Sequence, residues 1–196
     1  GNESGAYYAF AKRYAAELAK HKITLEVRPS TGSVENADRL RSGEVQLALM
    51  QGGIADERSL PGIESLGRMF LEPIWIFYRG DERIDRLADL AGKRIAIGPS
   101  GSGTRKLATA LLARNGIDEA KATLVPLGGQ QAAEGLKTGL VDAIFLVVAP
   151  EAAIVQGLLR DPDAHLMSFA QADAYTRIFP FLSKVTLPQG VIDLGG

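Results

Sequence analysis

Arg94-Ile95-Ala96-Ile97-Gly98-Pro99-Ser100-Gly101-Ser102-Gly103-Thr104-Arg105-Lys106-Leu107-Ala108-Thr109-Ala110-Leu111-Leu112 joins a short β-rich run to a segment whose Leu107, Ala108, Leu111 and Leu112 share one helical face. A strand therefore feeds a helix through a turn of glycines and hydroxyls. Such a turn leaves the first backbone N–H groups of the helix without intrahelical partners, at the positive end of the aligned peptide dipoles. A carboxylate or phosphate placed there gains several hydrogen bonds at once. The same residues also suit a plain helix start, with Ser102 or Thr104 as the cap, and the sequence of this loop leaves both readings open.

Working outward, the chain alternates the two periodicities. Tyr7, Phe10, Ala11, Tyr14 and Leu18 recur at helical spacing, and Ile23 to Arg28 reads as a strand. A helix carrying Val34, Ala37 and Leu40 follows, with Ser33 as the natural N-cap and Ser42-Gly43 as its end. Val45 to Met50 is a nearly continuous apolar run of the kind buried on both faces of a parallel sheet. Pro73 to Arg79 predicts a strong apolar strand, read as the connection between two lobes. After the central loop come a strand at Thr123–Leu127, a helix started by Gly128-Gly129-Gln130, a strand at Val141–Val148, a helix begun by Pro150, a short strand at His165–Phe169 and a helix or pair of turns at Ala170–Phe179.

The halves repeat at an offset of about 96 positions. Leu40-Arg41-Ser42-Gly43-Glu44-Val45-Gln46-Leu47 falls on Leu136-Lys137-Thr138-Gly139-Leu140-Val141-Asp142-Ala143, and Thr31-Gly32-Ser33 falls on Leu127-Gly128-Gly129. The counterpart of Lys93 to Ile97 is expected just before Gly1. The expectation is an α/β protein of two Rossmann-like lobes, the first incomplete: 1–78 as lobe I, 79–187 as lobe II, and 188–196 as a truncated return segment. Parallel α/β sheets collect ligands beyond the carboxyl ends of their strands, where glycine turns and helix starts gather.

Composition narrows the function. Lys+Arg 22 against Asp+Glu 23 gives a net charge of -1, so no basic field draws nucleic acid. No apolar run reaches the length of a membrane span, so no direct membrane insertion by this chain is expected. The chain has no cysteine, which excludes disulfides and thiol chemistry, and its two histidines, His21 and His165, are far apart in sequence. No metal, cofactor or catalytic residue is expected. The loop lacks the Gly-x-x-x-x-Gly-Lys-Ser/Thr spacing of a nucleotide-binding P-loop and the Gly-x-Gly-x-x-Gly of a dinucleotide site. Asp142 and Glu134 are able to act as acid or base, and the sequence identifies no partner for either.

Gly5-Ala6-Tyr7-Tyr8, Thr31-Gly32-Ser33-Val34-Glu35-Asn36, Gly43-Glu44-Val45-Gln46-Leu47-Ala48-Leu49 with Gln51, Leu90 to Gly98, Ser100-Gly101-Ser102-Gly103-Thr104 and Gly139 to Ala143 together resemble the TAXI-type solute receptors of TRAP transporters. The resemblance implies the type II periplasmic-binding-protein architecture and a periplasmic or otherwise extracytoplasmic receptor. It implies closure on a small carboxylate-bearing solute, a dicarboxylate or an acidic amino acid such as glutamate, which passes to membrane transporter subunits. The Leu-Pro-Gln-Gly-Val-Ile-Asp-Leu ending resembles membrane-attached relatives, so a tethered sensing domain is the alternative, and a small-molecule enzyme on the same fold is another.

Ligand-binding candidates follow from both lines. Ser100, Ser102, Gly103 and Thr104 offer donors at the central helix start, and Arg105 offers a bidentate guanidinium. Thr31, Ser33 and Asn36 surround the earlier helix start. Gln51 ends a buried run with a group that both donates and accepts. Of Tyr7 and Tyr8, periodicity turns one toward the core, leaving Tyr8 as the candidate. Trp75 and Phe77 read as core or hinge packing.

Overall fold

The computed structural model describes residues 1, 3, 5–56 and 58–188; the expected return segment lies, from residue 189 on, outside them. The chain forms two compact units. Unit 1 comprises Gly1–Ser65 together with Ser100–Gly103, and unit 2 comprises Leu66–Pro99 with the residues from Thr104 on.

Unit 2 holds a five-stranded sheet. Its strands are β1 (Ile74–Tyr78), β2 (Arg94–Ala96), β3 (Thr123–Val125), β4 (Ala143–Val147) and β5 (His165–Leu166), in the order β3-β2-β4-β1-β5. β2 runs parallel to both β3 and β4, while β1 runs antiparallel to β4 and β5. The sheet is thus mixed. The reason is the connection: the chain leaves β1 at the end where Tyr78 faces Ala143 and, after residues 79–93, enters β2 from that same end. It needs no helical crossover, and the direction reverses. β1 is therefore an internal member of this sheet and does not close the first lobe as expected.

Period-two burial sorts the strands onto two faces. Ile76, Tyr78, Ile95, Ile97, Ala143 and Phe145 pack with Leu107, Ala108, Leu111 and Leu112 of helix α3 (Gly103–Arg114) and with Tyr175 of α6 (Ala172–Ile178). Trp75, Phe77, Ala96, Ile144 and Leu146 pack with Ala132, Ala133 and Leu136 of α4 (Gly129–Lys137) and Val155 and Leu158 of α5 (Ala153–Leu159). Helices on both faces explain why these strands read as continuous apolar runs. Trp75 is core, and its indole Nε1 donates to the Val148 carbonyl at 2.9 Å.

Arg94 and Asp142 lock the entrances of β2 and β4. Asp142 accepts from the Arg94 main-chain N at 2.8 Å, from its Nε at 3.1 Å and from Nη2 at 2.6 Å. The Arg94 side-chain bonds hold the Asp142 carboxyl below the usual carboxylate range, against the opposing effect of partial burial. This engagement makes Asp142 a structural carboxylate.

Unit 1 contains α1 (Ala6–Ala19) and α2 (Ser33–Ser42), and a small core of Ala37, Ile54 and Leu60. The runs 23–28 and 45–50, expected as strands, form no strand. The repeat explains this. Their equivalents β3 and β4 are not neighbours; each pairs with β2, and no described residue of unit 1 takes β2's position. Elsewhere the repeat is exact in backbone detail. Gly43 (φ 75) and Gly139 (φ 73) end α2 and α4 in the left-handed region. Val45 N donates to Arg39 O at 3.4 Å as Val141 N donates to Gly135 O at 3.1 Å. Gly43 N donates to Leu40 O at 3.1 Å as Gly139 N donates to Leu136 O at 3.2 Å.

Phe145 is fully buried, and Phe145→Ala is expected to cost unit 2 about 3–5 kcal/mol in urea unfolding followed by circular dichroism. Because the Asp142 pKa is depressed in the fold, its stabilisation is present above the unfolded carboxylate pKa of about 4 and lost as pH falls through the folded value. Asp142→Asn is expected to lower the thermal midpoint at neutral pH and to flatten its fall below pH about 4.

Candidate functional site

Two glycine turns meet in unit 1. Gly32 stands at φ 146, immediately before α2, and a Cβ there would lie 3.1 Å from Ser102 Cα and 3.2 Å from Gly101 O. Both are backbone atoms that have no rotamer by which to retreat. Gly101 answers at φ 79, where a Cβ would lie 2.9 Å from Thr31 Oγ1. Gly103, the buried first residue of α3, lies under the side chain of Gln51: a Cβ there would come within 2.5 Å of Oε1 and 3.1 Å of Cδ. The start of α2 and the first residue of α3 are thereby held side by side.

The hydrogen bonds around this meeting are local and specific. Glu35, in the first turn of α2, accepts from both the main-chain N and Oγ1 of Thr31 at 2.7 Å, and its other oxygen pairs with Arg39. The Thr31 hydroxyl, then its main-chain N–H, then the Arg39 guanidinium hold the Glu35 carboxyl below the usual range, with partial burial opposing. Ser33 is 3% exposed, and its Oγ accepts from Gln51 N at 3.0 Å. Asn36 Nδ2 donates to Leu49 O at 2.8 Å.

These contacts revise the reading of the first helix start. The N-cap of α2 is Gly32, with no side-chain cap bond, and not Ser33. Ser33 is the first helical residue, and its hydroxyl is spent on the chain segment that ends at Gln51. Asn36 pins that same segment one residue pair earlier. Thr31 directs both its donors at Glu35. Glu35 is not among the sequence candidates, although Glu35 and Arg39 have the i, i+4 spacing that places them on one side of α2.

Thr31, Ser33, Gln51, Ser102 and Gly103 are therefore brought into one neighbourhood. Ser100 lies exposed on the same loop, and Thr104 and Arg105, both half-buried, continue α3 in unit 2. Tyr7 packs against Gly1, its Cβ 3.5 Å from the position a Gly1 Cβ would take, and Tyr8 is half-buried beside it in α1.

Electrically the two helix starts differ. α2 carries Glu35 in its first turn, which compensates the positive end of its dipole. α3 has no acidic residue in its first turn. Among the described residues no group of three or more His, Cys, Asp and Glu is placed to hold a metal ion, and no helix is long and apolar enough to cross a membrane.

A family model described as the NMT1-like family matches residues 1–195. The fold matches solved structures of binding proteins. An ancestral arginine-binding protein bound to arginine is 20% identical, with a TM-score of 0.56 over 80% of this chain and 66% of that one. Holo ArgBP from T. maritima is 21% identical, with a TM-score of 0.55 over 84% and 66%. The alkanesulfonate-binding protein SsuA from Xanthomonas axonopodis pv. citri, bound to MOPS, is 19% identical, with a TM-score of 0.53 over 92% and 66%. The α/β fold is that of the type II periplasmic binding proteins, and this chain spans 66% of the length of each of these three.

Gly32→Ala is expected to destabilise unit 1 by more than Gly43→Ala. Gly43 stands in the left-handed region, where a side chain costs about 1–2 kcal/mol, and its methyl meets open space. Gly32, at φ 146 and ψ -162, stands in a region essentially confined to glycine, at a cost of about 1–3 kcal/mol, and its methyl meets two backbone atoms. Hydrogen exchange at the amides of α2 reads the difference directly.

Proposed function

The chain belongs to the NMT1-like family, and on that premise we propose that it is an extracytoplasmic solute-binding protein whose anionic ligand sits at the start of α3. The observation that carries this reading is the start of α3, which has no acidic residue in its own first turn, held at Gly103 beside the start of α2, which carries Glu35. An acid group at Gly103 accepts from the main-chain N–H groups of a helix start and gains from the dipole. Ser100 and Arg105 supply further donors near that end, and Gln51 supplies a neutral donor and acceptor for the rest of the solute.

The solute class we propose is small and carboxylate-bearing. Support comes from two directions: the sequence blocks shared with TAXI-type receptors, and the arginine and MOPS named for the matching structures, each a small molecule with one acid group. Those same sequence blocks support delivery to a TRAP-type membrane transporter. The protein's part is binding without turnover. Asp142, a candidate acid or base in the sequence, is tied to Arg94 at the opening of β2 and β4 and has no chemistry assigned to it here. Tyr8, Thr31, Ser33 and Asn36 act in this reading as the frame that sets the loop, with Thr31, Ser33 and Asn36 already engaged by Glu35, Gln51 and Leu49.

Isothermal titration with glutamate, succinate, arginine and methanesulfonate tests it. Saturable binding of a carboxylate with no product by mass spectrometry is the expected result. Gly103→Pro removes the first helical N–H of α3 and is expected to weaken that binding at least about tenfold, a loss on the order of one charge-assisted hydrogen bond. Turnover of any of the four, or no binding by all of them, refutes the assignment.

A further inference from the structure

Gln51 is joined to the two helix starts in different ways. Its main-chain N–H is held by the buried Ser33 hydroxyl at 3.0 Å, at the start of α2. Its side chain lies over Gly103, at the start of α3, with Oε1, Cδ and Cβ 2.5, 3.1 and 3.3 Å from the place a Gly103 Cβ would occupy. A side chain at 103 and the present Gln51 rotamer exclude each other. The amide oxygen is the atom turned toward Gly103, so the Nε2 donor, at the other corner of the planar amide, is directed away from it.

From this geometry we infer that Gln51 is the specificity-determining residue of the site and that Gly103 is its positioning partner: glycine at 103 is what lets the Gln51 amide lie across the start of α3. The inference rests on the proposed binding function and goes further, because it assigns selection among anionic solutes to one side chain. A helix start accepts any anion, and discrimination requires a group that is left unpaired by the wrong solute. The Gln51 amide is uncharged, half-buried and fixed through Ser33 on its own main chain. A solute carrying a second hydrogen-bonding group satisfies it. A bare alkyl acid strands it at a cost.

The test is a double-mutant cycle on the full 196-residue chain, with Gln51→Ala, Gly103→Ala and the pair. Without any ligand, Gly103→Ala is expected to lower the thermal midpoint by about 4 °C when Gln51 is present and by less than half as much in the Gln51→Ala background. Additive midpoints overturn the positioning claim. In titrations, Gln51→Ala and Gly103→Ala are each expected to change the ratio of glutamate to methanesulfonate affinity by about tenfold or more. Wild-type binding with that ratio unchanged in both variants overturns the specificity claim while leaving the binding function standing. Absence of wild-type binding to every solute refutes the binding function, and the specificity claim with it, whereas the ligand-free cycle still decides whether Gly103 positions Gln51.

Discussion

The close approach of two backbones at Gly32 and Gly101 is the constraint on which the site depends. With 3.1 Å between a Gly32 Cβ position and Ser102 Cα, and 2.9 Å between a Gly101 Cβ position and Thr31 Oγ1, neither turn tolerates a side chain facing the other. Each glycine also adopts a conformation that L side chains rarely enter. The absence of two methyl groups thus brings a helix start in one part of the chain against a loop that lies some 70 residues later in the sequence.

Charge compensation then separates what is otherwise a symmetric pair. Glu35 belongs to α2 and answers the Thr31 donors and the Arg39 guanidinium, so the positive end of that helix is met from within. α3 opens on Gly103-Thr104-Arg105 with no such carboxylate. In the proposed reading this helix end receives the anion, and the neutral amide beside it adds selection to attraction. Affinity and specificity come in this account from different residues, which is why the Gln51 amide and the α3 start are separable by mutation.

Much of this was readable from residue order. Among the described residues the six α-helices fall within segments whose spacing reads as helical, and the offset repeat reappears as matching φ angles at Gly43 and Gly139 and matching backbone bonds at Val45 and Val141. The loop from Ser100 to Thr104 was legible as a helix start with donors. What escaped notice has one cause throughout. Ser33 looked like a cap because its type and place suit one, but the group that claims its hydroxyl is Gln51 N, 18 residues away. Runs 23–28 and 45–50 look like strands because their residues prefer extended backbone, yet a strand exists only when a neighbour pairs with it.

By itself, then, the sequence determined the helices, their glycine ends, the internal repeat and the apolar strands of the second unit, since each of these depends on residues within a few positions of one another. Only the tertiary structure decided that β1 runs antiparallel between β4 and β5, that Glu35 spends its charge on Thr31 and Arg39, and that Gln51 requires glycine at 103. Strand direction and sheet order are set by pairings between distant segments. The need for glycine at 103 is set by the atom that lies over it, and spacing along the chain carries no record of either.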